Sequence, residues 1–179
     1  MKQTLVALVE NKPGVLNRVA SLFRRRNFNI DSLTVGRTEN PDISRMTIVV
    51  DADAEKIKNQ LYKLVNVIQV EDVTHIPDVS RDLALIKVGV DGQTRGEVLQ
   101  ICEIYRARIV DATTQAVIVE VTGDEQKIDS LVELLRAIGI LEMVRTGIVT
   151  MTRGDHVLQP AEYKARNGSS SNGHRASVL

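Results

Sequence analysis

A chain of 179 residues that is 43% apolar can bury a real core, either as one medium domain or as two small ones. Lys plus Arg equals Asp plus Glu at 23 each, so no net charge draws it toward nucleic acid or an anionic membrane. Aromatic residues are only 3%, with no Trp, and the single Cys102 excludes an intrachain disulfide and a multi-cysteine metal site, which suits a reducing cytoplasm.

Met1-Lys2-Gln3 leads directly into Thr4–Val9, a run too short for a signal-peptide core and read instead as a first strand. Both faces of Leu5–Val9 are apolar, as in a strand covered on each side. No apolar run approaches the ~20 residues of a membrane span. Pro13-Gly14 ends the strand and opens a helix, with Val15, Val19, Leu22 and Phe23 at helical spacing. Arg24-Arg25-Arg26 closes it, where cations complement the dipole. A solvated helix end explains these arginines, with a partner contact as the alternative.

Asn29–Thr38 reads as a second strand, Asn40-Pro41-Asp42 as a turn, and Ser44–Asp51 as a third strand. Asp51-Ala52-Asp53 is suited to cap a helix lined by Ile57, Leu61 and Leu64. Val65–His75 supplies a fourth strand. The order β-α-β-β-α-β in about 75 residues is the ferredoxin-like split arrangement. After a polar linker at Asp78–Asp82, the order starts again. Leu83–Val90, a helix over Gly92–Tyr105, Arg108–Ala112, Ala116–Thr122, a helix over Asp124–Ile138 and a long or bent strand over Gly139–Thr152 complete it. The expected fold is α+β, with two βαββαβ modules at residues 1–77 and 80–158. From Gln159 onward, Asn167-Gly-Ser-Ser-Ser-Asn-Gly173 has too little apolar area to offset chain entropy, so residues 159–179 are expected to be a disordered tail.

One stretch carries chemistry. The first helix begins at Pro13-Gly14, where its free N–H groups and dipole favour an anion. Gly14 permits close approach. Asn11 and Asn29 each offer a carbonyl oxygen and an NH2. Gly36 leaves room beside an apolar floor of Ile30, Leu33 and Val35. Together they suit a free amino acid with a short branched side chain. The plain readings are a turn and cap for Asn11, a turn for Asn29 and a bulge for Gly36.

The segment "ENKPGVLNRVASLF" followed by "NFNIDSLTVGRTENPDISRMTIVV" resembles the ACT domain, a regulatory module that binds amino acids. With "QLYKLVNVIQVEDVT", "EVLQICEIYRARIVDAT" and "VRTGIVTMTRG", the resemblance to the small regulatory subunits of acetolactate synthase extends over roughly residues 2 to 156. It implies a non-catalytic chain that pairs with itself, binds a large catalytic subunit, raises its activity and makes it sensitive to feedback inhibition by valine. The implied effector site takes Asn11, Gly14, Val15, Asn29, Ile30, Val35 and Gly36, with residues from both chains of a homodimer. Thiamine diphosphate, Mg2+ and FAD are expected on the catalytic partner, and no cofactor on this chain.

Other signals point elsewhere. His75, His156 and His174 share no ligand spacing, and no Gly-rich phosphate loop occurs. Cys102 falls on an apolar helix side and reads as packing. The alternatives are a free-standing ACT-type amino-acid sensor and an RNA-binding module of the RRM kind. The second needs strand aromatics, and "SRMTIVV" has none.

Overall fold

The structure, a computed structural model, describes residues 1–158. The expected tail at 159–179 lies outside the described residues. The strands and helices follow in the order β1 (Gln3–Glu10), α1 (Val15–Arg25), β2 (Ile30–Arg37), β3 (Ile43–Val50), α2 (Ala54–Leu61) and β4 (Val67–Asp72). Then come β5 (Asp78–Gly89), α3 (Thr94–Tyr105), β6 (Arg108–Ala112), β7 (Ala116–Gly123), α4 (Glu125–Ile138), β8 (Ile140–Arg145) and β9 (Val149–Thr152). The first sheet has the order β2-β3-β1-β4 and the second β6-β7-β5-β8, with β9 also on β5. The fold is α+β, with two antiparallel βαββαβ modules, as the element order predicted.

Helical spacing in α1 buries Val15, Val19, Leu22 and Phe23 against Leu5, Ala7 and Val9 of β1 and Met46, Ile48 and Val50 of β3. The helix starts at Val15, so Pro13 lies in the entry turn rather than in the first helical turn. The Asp53 carboxylate caps α2, accepting from the Glu55 and Lys56 N–H groups. The second core gathers Ala84, Ile86 and Val88 of β5 with Val98, Ile128 and Leu131 from its two helices. The Asp91 carboxylate accepts from the N–H groups of Gln93 and Thr94, which delays α3 to Thr94, two residues after the expected start at Gly92.

Two segments depart from the sequence reading. Asp78–Asp82 is the first part of β5 and not a linker: Asp78–Arg81 pairs with Thr152–Val149 of β9. Its Asp78 and Ser80 side chains are paired with each other and with Thr150 of β9. The hydroxyl groups of Ser80 and Thr150 both donate to the Asp78 carboxylate. The final strand is interrupted between Arg145 and Val149, where Gly147 takes φ +83°. The paired β5 and β9 meet the sheet face that α1 and α2 leave open. Below that face Val6, Leu8, Ile43 and Val73 form a third apolar cluster, closed by Leu158. Both faces of β1 are therefore buried, as its two-sided apolar run requires.

Candidate functional site

The β1–α1 loop is built around Gly14, which sits at φ +83° as the N-cap of α1. An L side chain rarely adopts this backbone, whereas glycine does so freely. No side chain caps the helix, so its positive end is turned outward without a local carboxylate or hydroxyl. Its first turn contains no acidic residue. A Cβ at Gly14 would meet nothing within 4 Å, so the approach to the helix end is open. Asn11 is exposed beside it. Its backbone N–H donates to Asp42 O at 2.7 Å and its Nδ2 to Pro41 O at 2.8 Å. Asn11 and Gly14 thus share one loop, and Val15 opens α1 beside them with its side chain buried in the core.

Asn29 precedes β2 instead of lying within it, and is exposed, its Nδ2 3.2 Å from Asp31 Oδ1. Strand register decides its relation to Asn11. Ile30 and Gln3 both sit opposite Val50, while Arg37 and Val9 both sit opposite Ser44. β1 and β2 therefore run in the same direction on either side of β3, with Asn29 at the start of one and Asn11 past the end of the other. Eight residues of strand rise separate them by roughly 25 Å. One chain does not bring the two amides together. Val35 and Gly36 lie toward the Asn11 end. Val35, opposite Met46, is on the helix side, and Gly36, opposite Arg45, is on the other face. Ile30 packs against the first core along with Leu33. β2 is an edge strand, and Asp31, Val35, Gly36 and Arg37 are exposed along it.

The segment between β8 and β9 holds β2 from behind. The Thr34 hydroxyl donates to Thr146 O at 3.3 Å, and the Ile148 N–H donates to Ser32 Oγ at 3.3 Å. Arg45 Nη2 donates to Thr150 O at 2.9 Å. A Cβ at Gly147 would run into the Ser32 hydroxyl, so the chain passes there only as glycine. Two clefts flank this contact. One of about 420 Å³ includes Lys2, Asp31, Glu125 and Arg145 in its walls; the other, about 400 Å³, includes Val35, Gly36, Arg45, Val149 and Met151. Arg145 anchors the arrangement: its guanidinium binds the buried Asp82 at 2.5 Å and Asp129 at 2.6 Å. Burial alone would lower the Arg145 pKa, but these carboxylates raise it above the ordinary value. Burial is also the main influence on Arg45, and it lowers that guanidinium despite Glu71 and Glu39 nearby.

Sequence reading missed Gly147, Ser32, Asp82 and Arg145. Asp82 and Arg145 are 63 positions apart, beyond the reach of any local periodicity. The glycine within an otherwise strand-like run was the one available sign. Among the described residues no group of three or more His, Cys, Asp or Glu is placed to hold a metal ion. No helix among them is long and apolar enough to cross a membrane.

Comparison with known proteins covers both modules. Residues 5–69 match the family described as the AHAS small subunit-like ACT domain, and residues 81–154 match the small subunit of acetolactate synthase. The probable acetolactate synthase small subunit of Archaeoglobus fulgidus is 52% identical over 158 residues, spanning 87% of this chain and 99% of the relative. The acetolactate synthase small subunit of Mycolicibacterium smegmatis is 49% identical over 154 residues, spanning 84% and 91%. The crystal structure of the acetolactate synthase small subunit from Thermotoga maritima superposes with a TM-score of 0.82 at 42% identity, covering 87% of this chain and 99% of that one.

Proposed function

The chain belongs to the acetolactate synthase small subunit family, with an ACT domain at its N-terminus, and from that premise we propose that it is a cytoplasmic, non-catalytic regulatory subunit. It binds the catalytic large subunit, raises its activity and confers feedback inhibition by valine. Thiamine diphosphate, Mg2+ and FAD reside on that partner. Residues 1–77 receive the effector and 80–158 form the second unit.

The observation that carries the reading is the wide separation of Asn11 and Asn29 across a sheet whose nearer edge, β2, is unpaired. Two copies joined antiparallel along β2 set Asn29 and Ile30 of one chain toward the end of the other where Asn11, Gly14 and Gly36 lie. An edge strand with free N–H and C=O groups is suited to such pairing. The bare α1 N-terminus receives the valine carboxylate, and the amides receive its ammonium group. The isopropyl group lies on apolar edge residues such as Val35.

Valine then favours one arrangement of the pair over another, as an effector must if it is to shift an equilibrium. A coupling of about 1–3 kcal/mol gives a ~5–150-fold change. Calorimetric titration with valine, leucine and isoleucine tests the site, followed by inhibition assays of the reconstituted complex. Asn11→Ala is expected to weaken valine binding and relieve inhibition while activation persists. Normal inhibition of that variant would remove Asn11 from the site.

A further inference from the structure

The helix layers of the two modules differ in charge, the first strongly cationic and the second close to balanced. α1 contains Arg18, Arg24 and Arg25 with no acidic residue, and Arg26 follows as its C-cap. α2 sets Lys56 and Lys58 against Glu55, with Lys63 just beyond its end. The second module has no such excess. α3 has Glu97 and Glu103 against Arg95 and its C-cap Arg106, and α4 has Glu125, Asp129 and Glu133 against Lys127 and Arg136. A chain of zero net charge has thus gathered cations on one helix layer.

Dipole complementation accounts for Arg24 and Arg25 in the last turn of α1. It does not account for Lys63, which faces Arg25 and Arg26 across a groove of about 400 Å³ also lined by Leu22, Gln60 and Leu64. Among the described residues, none makes an ion pair or side-chain hydrogen bond with Arg24, Arg25, Arg26 or Lys63. The layer also presents apolar surface. Leu16, Tyr62 and Val65 are 48%, 47% and 66% exposed. Arg18 Nη1 donates to Asn66 Oδ1 at 2.6 Å, tying α1 to the segment that carries Tyr62 and Val65.

Exposed aliphatic and Tyr side chains beside unpaired arginines are the composition of a protein-binding surface. A nucleic-acid surface would call for stacking aromatics, and this layer has only Tyr62, whose hydroxyl is engaged with Val70 O. We propose that the α1–α2 layer of the first module docks an acidic, partly apolar surface of the catalytic large subunit. The inference rests on the regulatory-subunit reading and assigns its contact face. Complementary charge there speeds and orients association, and makes it salt-sensitive.

The test uses full-length chain and purified large subunit, with association followed by calorimetry or interferometry at several salt concentrations. Arg25→Glu/Arg26→Glu reverses two exposed charges, and circular dichroism together with valine titration of the isolated variant checks its integrity. Arg136→Glu on α4 is the control. The double variant is expected to bind at least tenfold more weakly, with a reduced salt dependence, while the control binds like wild type. Association of the double variant at wild-type strength overturns the assignment, as does an equal loss in the control. Wild-type binding to a mixed-sequence RNA that only the double variant loses, with subunit association intact, overturns it in favour of nucleic acid. If wild type binds valine but no large subunit, the regulatory-subunit reading fails and this inference with it.

Discussion

Gly14 shows how one residue type sets local geometry. Its φ of +83° turns the chain from β1 into α1 and leaves the helix end without a side-chain cap. Gly14→Ala meets no atom within 4 Å, so its cost is conformational and not steric. A loss of about 1–2 kcal/mol is expected from the left-handed backbone. Chemical denaturation of the variant measures it, and an unchanged midpoint would show that the loop relaxes freely. The same reasoning separates Asn11 from Asn29. Each amide has its own local hydrogen bond, yet only Asn11 shares a loop with the helix end. Cys102, by contrast, is buried in the second core, and burial lifts its thiol above the ordinary range, which favours the unreactive protonated form.

At the scale of elements, the pairing of β5 with β8 and β9 depends on paired polar groups. Arg145→Met leaves the Asp82 carboxylate buried without its cation, and breaking such a pair costs about 3–5 kcal/mol. A urea melt with a clearly lower midpoint is the expected outcome; replacement of both partners by apolar residues is expected to recover much of the loss. Asp78 adds a pH response. Partial burial would raise its pKa, but hydroxyl donation from Ser80 and Thr150 and the nearby Arg153 hold it below the ordinary value. A depressed native pKa stabilises above the unfolded value of about 3.9 and is lost as pH falls through the native one. Amide exchange across β9 is therefore expected to accelerate below about pH 4 relative to α4, and Asp78→Asn to flatten that difference. The legible parts of the fold were those with local periodicity: Val15, Val19, Leu22 and Phe23 in α1, and Met46, Ile48 and Val50 in β3. Asp78–Asp82 misled because alternating polar residues read as a linker, and the strand is recognisable only with Thr150 and Arg145 in place. Asn11 and Gly14 were legible from the Pro-Gly turn. The approach of Gly147 to Ser32 was not, since no spacing rule joins residues so far apart.

For the whole molecule, the two modules are stitched together by the paired β5 and β9 and the segment before β9, by the ion pairs of Lys2 with Asp31 and Glu125, and by the contact of His156 with Glu71 at 2.6 Å. A chain stopped at residue 148 would lose β9 and Leu158, and so uncover Val6, Leu8, Ile43 and Val73. Its melting temperature is expected to fall by roughly 5–10 °C, with new binding of a hydrophobic dye. Melting at the full-length temperature would mean that the first module covers that face by other means. Leu158 also bears on biosynthesis. β1 is made well before Leu158, which helps to close its rear apolar surface. During translation that surface stays partly bare until Leu158 has left the ribosome, so the nascent first module is the stage at which chaperones have most to shield.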